Sequence, residues 1–140
     1  MTDGSESRAR NAVLIVEDQA LLRRTMREVL QDAFPGYDFL DAADGASALQ
    51  ACKVYRPVLV LMDKCLPDAD GIELTARLKK LYPAIQVIVV SYRSAEAYRQ
   101  RAIEAGARTY LAKDNLAAEL IPAVAAFFGV LPAMGRSAAS

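Results

Sequence analysis

Five residues of this chain follow apolar runs with side chains able to bind a cation, donate a hydrogen bond or attack an electrophile. Glu17 and Asp18 follow "AVLIV" (12–16), and Asp63 closes "VLVLM" (58–62). Ser91 follows "IQVIVV" (85–90), and Lys113 follows "TYLA" (109–112). Two carboxylates about 4 Å apart repel by roughly 4 kcal/mol at an effective dielectric near 20. Uncompensated, one of them takes up a proton. Lys113 supplies one positive charge against three acids, so a divalent cation is the natural complement. The chain has no histidine and no thiolate cluster, so the ligands are hard oxygens and Mg²⁺ fits best. Acids, cation, hydroxyl and lysine together make a pocket for a phosphoryl group. An aspartate such as Asp63 can serve there as strand-end cap, metal ligand or nucleophile.

These residues converge only if the elements beneath them bring matching ends together. The four runs are apolar on consecutive residues, as strands buried on both faces of a parallel sheet must be. A fifth run, "YDFL" (37–40), alternates and reads as a strand nearer an edge. Helical patterns lie between them at about 20–33, 45–55, 71–81, 95–105 and 116–128. Asp44 and Asp70 each precede a glycine at a helix start, Ser94 is a further N-cap, and Gly129 is a C-terminal stop. Pro122 conflicts with a helix interior, which predicts a last helix that begins near Ala118 or is kinked. The order is β then α, five times: an α/β doubly wound (βα)5 parallel sheet with helices on both faces. All strand C-termini then share one edge, where ligands bind. Residues 11–129 form one domain between a flexible N-terminal tail (1–10) and a C-terminal tail (130–140).

Composition narrows the class. At 140 residues, 54% hydrophobic, with 17 basic against 17 acidic residues, the chain reads as a globular domain rather than a disordered one. Zero net charge argues against nucleic-acid binding by this chain alone. The absence of histidine excludes imidazole bases, His-zinc sites and a Ser-His-Asp triad. Cys52 and Cys65 form neither a CxxC pair nor a disulfide framework, which suggests a reducing compartment, the cytoplasm. The N-terminus lacks the apolar core of a signal peptide. "LAAELIPAVAAFFGVLPAM" (116–134) carries Glu119 and two prolines, so no membrane association is expected.

The pieces "LIVEDQ" (14–19), "LVLMDKCLPDADG" (59–71), "VIVVS" (87–91) and "AGARTYLAKDN" (105–115) match in order and mutual spacing. Over roughly residues 11–129 the chain resembles the receiver domain of two-component response regulators. The resemblance implies a flavodoxin-like five-stranded sheet in the order 2-1-3-4-5, as in chemotaxis regulators. It implies that Asp63 is the phosphoacceptor, taking a phosphoryl group from the phosphohistidine of a sensor histidine kinase or phosphotransfer protein. Asp18, Asp63 and the backbone carbonyl of Cys65 would bind Mg²⁺, with Glu17 acting through water. Ser91 and Lys113 would bind the phosphoryl group, and Tyr110 would be the switch aromatic; a plain core role for Tyr110 is the competing reading. The face of the fourth helix, fifth strand and fifth helix would then change for a downstream partner, an output domain or a second copy. Such a domain assists its own phosphotransfer and autodephosphorylation and is not an enzyme in the usual sense.

Some residues depart from the pattern. Position 92 is usually small in this family, and here it is Tyr92. With Lys64 and Arg93 it is expected to modulate access to the pocket and the lifetime of the acyl phosphate. Arg23, Arg24 and Arg27 read as a solvated face or a kinase-docking one. "KDN" (113–115) resembles receivers that precede a helix-turn-helix output. The chain therefore reads as a stand-alone receiver or as a receiver separated from a DNA-binding regulator. A degenerate receiver that binds partners without phosphorylation is a third reading, kept open by Tyr92.

Overall fold

The structure is a computed structural model that describes residues 11–92 and 96–133. Its strands are β1 (Ala12–Val16), β2 (Asp38–Ala42), β3 (Leu59–Asp63), β4 (Gln86–Ser91) and β5 (Thr109–Ala112). Its helices are α1 (Ala20–Ala33), α2 (Gly45–Tyr55), α3 (Gly71–Leu81), α4 (Glu96–Glu104) and α5 (Leu116–Phe128), the last preceded by a 3-10 turn over Lys113–Asn115. All strand pairs are parallel, in the order β2-β1-β3-β4-β5. The expected edge position of the second strand is observed.

Strand side chains alternate between two cores. Leu14, Val16, Val60, Met62, Val87 and Val89 pack with α2, α3 and α4 through Ala48, Cys52, Leu78 and Ala102. Their neighbours Val13, Ile15, Leu59, Leu61, Ile88 and Val90 pack with α1 and α5 through Met26, Leu30, Leu120 and Val124. Because both faces are covered, the central strands carry no polar residue between their first and last positions. Each fully buried aliphatic side chain contributes about 1.5–3 kcal/mol, so polar groups are tolerated only at the rim.

The helix boundaries follow local chemistry. Asp44 accepts from the Ser47 N–H, and the Ser47 hydroxyl reaches back to the Asp44 N–H, a capping box. Asp70 accepts from the N–H groups of Ile72 and Glu73. Gly129 closes α5 at φ 69°, where a side chain would be strained. The last helix begins at Leu116, not near Ala118, so Pro122 lies inside it and one intrahelical hydrogen bond is forgone. The Ser94 cap falls outside the described residues, as does the N-terminal tail. The start of the C-terminal tail is held in place, because the Ala133 N–H donates to the Ala33 carbonyl at 2.7 Å. Among the described residues, no helix is long and apolar enough to cross a membrane.

Candidate functional site

Sheet register brings the site together. Val16 is level with Met62, so Glu17, next along the chain, comes level with Asp63. Asp63 pairs with Val90, and Ser91 lies one step beyond. Ser91 pairs with Ala112, and Lys113 lies one step beyond that. The strand order reverses between β1 and β3, with β2 added on one side and β4 and β5 on the other, which opens a crevice at their C-terminal ends. Asp18, Gln19, Asp63, Cys65, Ser91, Tyr92 and Lys113 line a cavity there of about 250 Å³.

Charge in this cavity is unbalanced. Lys113 Nζ lies 2.8 Å from Glu17 Oε1 and 3.2 Å from Asp63 Oδ1, with all three side chains almost wholly buried. Carboxylate oxygens of Glu17, Asp18 and Asp63 fall within 4.8 Å of one another. Burial, and then the Glu17 charge, push Asp63 up to about 6 from the usual 3.8, against the pull of Lys113 and the Cys65 N–H. Burial works to lower Lys113, but its bond to Glu17 and the Asp63 charge outweigh it and raise its pKa. One ammonium thus serves two buried acids beside a third, exposed one. Three carboxylates with surplus negative charge form the ligand set a hard divalent cation requires.

Backbone groups fix the acids. The Cys65 N–H donates to Asp63 Oδ1 at 3.2 Å, and the Gln19 N–H donates to Glu17 Oε2 at 3.1 Å. Arg23 Nη1 donates to the Glu17 carbonyl at 2.8 Å, and Arg27 pairs with Asp41. Arg23 therefore braces the site, although its place in an arginine-rich helix reads as a solvated face. The loop from β3 to α3 closes tightly: Lys64 N–H donates to the Val90 carbonyl, and Gly71 N–H to the Lys64 carbonyl. A side chain at Gly71 would overlap the Asp63 carbonyl, so the glycine serves close backbone approach as well as helix initiation. Asp68 accepts from the Gly45 and Ala46 N–H groups at 2.7 and 3.0 Å, tying the loop to α2. The sequence offers no signal for that tie beyond an aspartate in a turn.

The remaining expected residues separate. Ser91 is buried at the pocket wall. Tyr110 is 1% exposed, its ring packed in the core beside α2, α3 and α4. Lys64 turns away from the pocket, with Nζ 3.2 Å from Asp70 Oδ2 and 4.7 Å from the Tyr98 ring centroid. It does not add a second ammonium beside Asp63. Tyr92 is 62% exposed, with Lys113 Nζ 4.8 Å from its ring centroid. Arg93 lies outside the described residues. Cys65 is exposed and Cys52 buried, and both are free thiols.

Comparison with known proteins agrees with this fold. The family model for the response regulator receiver domain matches residues 13–125. The transcriptional regulatory protein PdtaR of Mycobacterium tuberculosis is 33% identical over 126 residues, which cover 88% of this chain and 59% of that protein. The chain thus spans less than two thirds of that relative's length. A LuxR-family two-component response regulator from Aurantimonas superposes with a TM-score of 0.79 at 29% identity, covering 93% of each chain. A structure of the CheX–CheY–BeF3–Mg complex from Borrelia burgdorferi matches with a TM-score of 0.76 at 25% identity, covering 84% of this chain and 88% of that one. The chain belongs to the response regulator receiver domain family of two-component signalling.

Proposed function

We propose that the chain is a phosphorelay switch in which Asp63 accepts a phosphoryl group from a phosphohistidine of a sensor kinase or phosphotransfer protein. The observation that carries this reading is the buried Asp63 carboxylate, 3.2 Å from Lys113 and grouped with Glu17 and Asp18. A carboxylate oxygen of Asp63 attacks phosphorus, the P–N bond breaks, and the imidazole leaves with the electron pair, giving an acyl phosphate. Lys113 neutralises charge on the transferred oxygens. Asp18, Asp63 and the Cys65 carbonyl would hold Mg²⁺, with Glu17 reaching it through water. The bound cation supplies charge neutralisation between the acids and the incoming phosphoryl group.

Ser91 donates to a phosphoryl oxygen only in the phosphorylated state, a bond of about 1.5–3 kcal/mol. That difference biases an equilibrium between two states. Tyr110 is the second switch residue, rotating inward as Ser91 moves toward the phosphoryl group. The surface of α4, β5 and α5 then carries the signal to a partner, an output domain or a second copy of the chain. Tyr92 and Arg93 set access to the acyl phosphate, while Lys64, pinned to Asp70, acts on its lifetime through the loop. We place the protein in the cytoplasm. A second reading, a receiver that belongs to a longer regulator, is favoured by the partial span of PdtaR.

The test is intact-mass analysis after incubation with Mg²⁺ and acetyl phosphate. The wild type gains one phosphoryl group, and both chelation of Mg²⁺ and Asp63→Asn abolish the gain. An unmodified wild-type chain under every condition would favour the degenerate receiver.

A further inference from the structure

Tyr92 lines the acidic pocket, yet the phosphotransfer chemistry does not require it. Lys113 Nζ lies 4.8 Å from the centroid of the Tyr92 ring. The Lys113 side chain is only 4% exposed, enclosed by Glu17, Asp63 and this ring. Tyr92 and Lys113 also line a second cavity, a cleft of about 450 Å³ between α1 and α5. Apart from Thr25, its other walls are apolar and include Leu22, Met26, Ala117 and Ile121. Tyr92 and Lys113 therefore lie between the acidic pocket and this cleft and line both.

We propose that Tyr92 is a positioning residue that holds Lys113 in its resting place on Glu17 and Asp63, and that its ring reports occupancy of the acidic pocket to the α1–α5 cleft. The inference rests on the phosphoacceptor reading above. An ammonium over a tyrosine face is attracted by the ring quadrupole. An anion bound at Asp63 draws Lys113 to its oxygens and off the ring. The ring then loses its partner and shifts against the cleft.

This role differs physically from obstruction. A bulky gate slows entry and exit alike and leaves the equilibrium affinity unchanged. A ring that stabilises the resting position of Lys113 opposes the bound state and changes the affinity itself. Leucine is the discriminating substitution, because it retains bulk without a quadrupole. At this exposure a change at residue 92 removes little core packing, and thermal melts of each variant check the fold.

The experiment titrates wild type, Tyr92→Phe, Tyr92→Leu and Tyr92→Ala with beryllofluoride in saturating Mg²⁺, and follows the methyl resonances of Ala117 and Ile121. Tyr92→Phe should stay within about twofold of wild type, whereas Tyr92→Leu and Tyr92→Ala should bind about threefold tighter, the loss expected for one partly exposed cation–π contact. The two methyl resonances should move on binding in the wild type and in Tyr92→Phe, through a displaced ring current, and far less in Tyr92→Leu. Equal affinities across all four proteins, with differences only in rate, would overturn the positioning role. Methyl shifts of the same size in Tyr92→Leu would overturn the link to the cleft. A wild type that binds no beryllofluoride overturns the phosphoacceptor reading, and this proposal with it.

Discussion

Asp63 and Asp70 stand at the two ends of one short loop, each 3.2 Å from a lysine ammonium, and are driven in opposite directions. Asp63 is pushed up to about 6 by burial and by Glu17. Asp70 is also penalised by burial, yet the Ile72 N–H, Lys64 and the Glu73 N–H outweigh that and hold it below the usual carboxylate range. Proximity to a lysine therefore does not decide the state of an acid; the balance of charge and donors does. Asp70 has Lys64 and two helix N–H groups, and its side chain is 29% exposed. Asp63 shares Lys113 with Glu17 and receives one N–H. The first arrangement is complete and holds a helix in place. The second is left short of positive charge, which suits a site that receives a cation and a phosphoryl group.

The largest expected effect comes from removing the shared ammonium. In chelated buffer near pH 7, Lys113→Met should lower stability by about 3 kcal/mol, since it strands two buried acids. Urea denaturation measures this. Adding Asp63→Asn should restore much of the loss, and Lys64→Met should cost no more than about 1 kcal/mol. Equal losses at the two lysines would break the comparison.

Next comes Asp63→Asn alone, which should raise stability by about 1–2 kcal/mol near pH 8. The folded pKa near 6 lies above the usual 3.8, so the native state holds more protons across that window. Stability falls as pH rises through it, and the benefit of the substitution should vanish near the usual carboxylate pKa. Urea midpoints measured across this range check the sign.

The smallest effect is at Asp70. Asp70→Ala should cost about 1 kcal/mol near pH 7, the typical loss of an N-cap. The folded pKa is lowered, so the ionic part of this contribution is present above the usual carboxylate pKa and is lost as pH falls through the lowered value. The pH dependences at 63 and 70 should thus be opposite, and the same denaturation series reads both.

The sheet and its charged rim were legible in the sequence because both follow from short-range pattern. "AVLIV" and "TYLA" give β1 and β5 to the residue, since each run ends at the rim of the sheet, where the charged Glu17 and Lys113 begin. The second strand, expected at 37–40, runs Asp38–Ala42. Its acidic residues at an edge blur the limits, and pairing with β1 decides them. Glu17, Asp63, Ser91 and Lys113 were legible as strand-end residues, though Lys113 opens a 3-10 turn instead of closing β5. What sequence did not reveal depends on contacts between distant elements. Lys64 could have faced the pocket, and only the packing of α4 sets Tyr98 beside it. The capping of α2 by Asp68 likewise joins residues that no local pattern links, while the bracing of Glu17 by Arg23 depends on how α1 leaves β1.

The most direct measurement is an NMR titration of the Asp63 and Asp70 carboxyl carbons, with and without Mg²⁺. The account predicts that without metal Asp63 titrates near 6 and Asp70 below the usual carboxylate range, and that Mg²⁺ lowers Asp63 while leaving Asp70 unmoved. An Asp63 that titrates in or below the ordinary range without metal, or that ignores Mg²⁺, would contradict it.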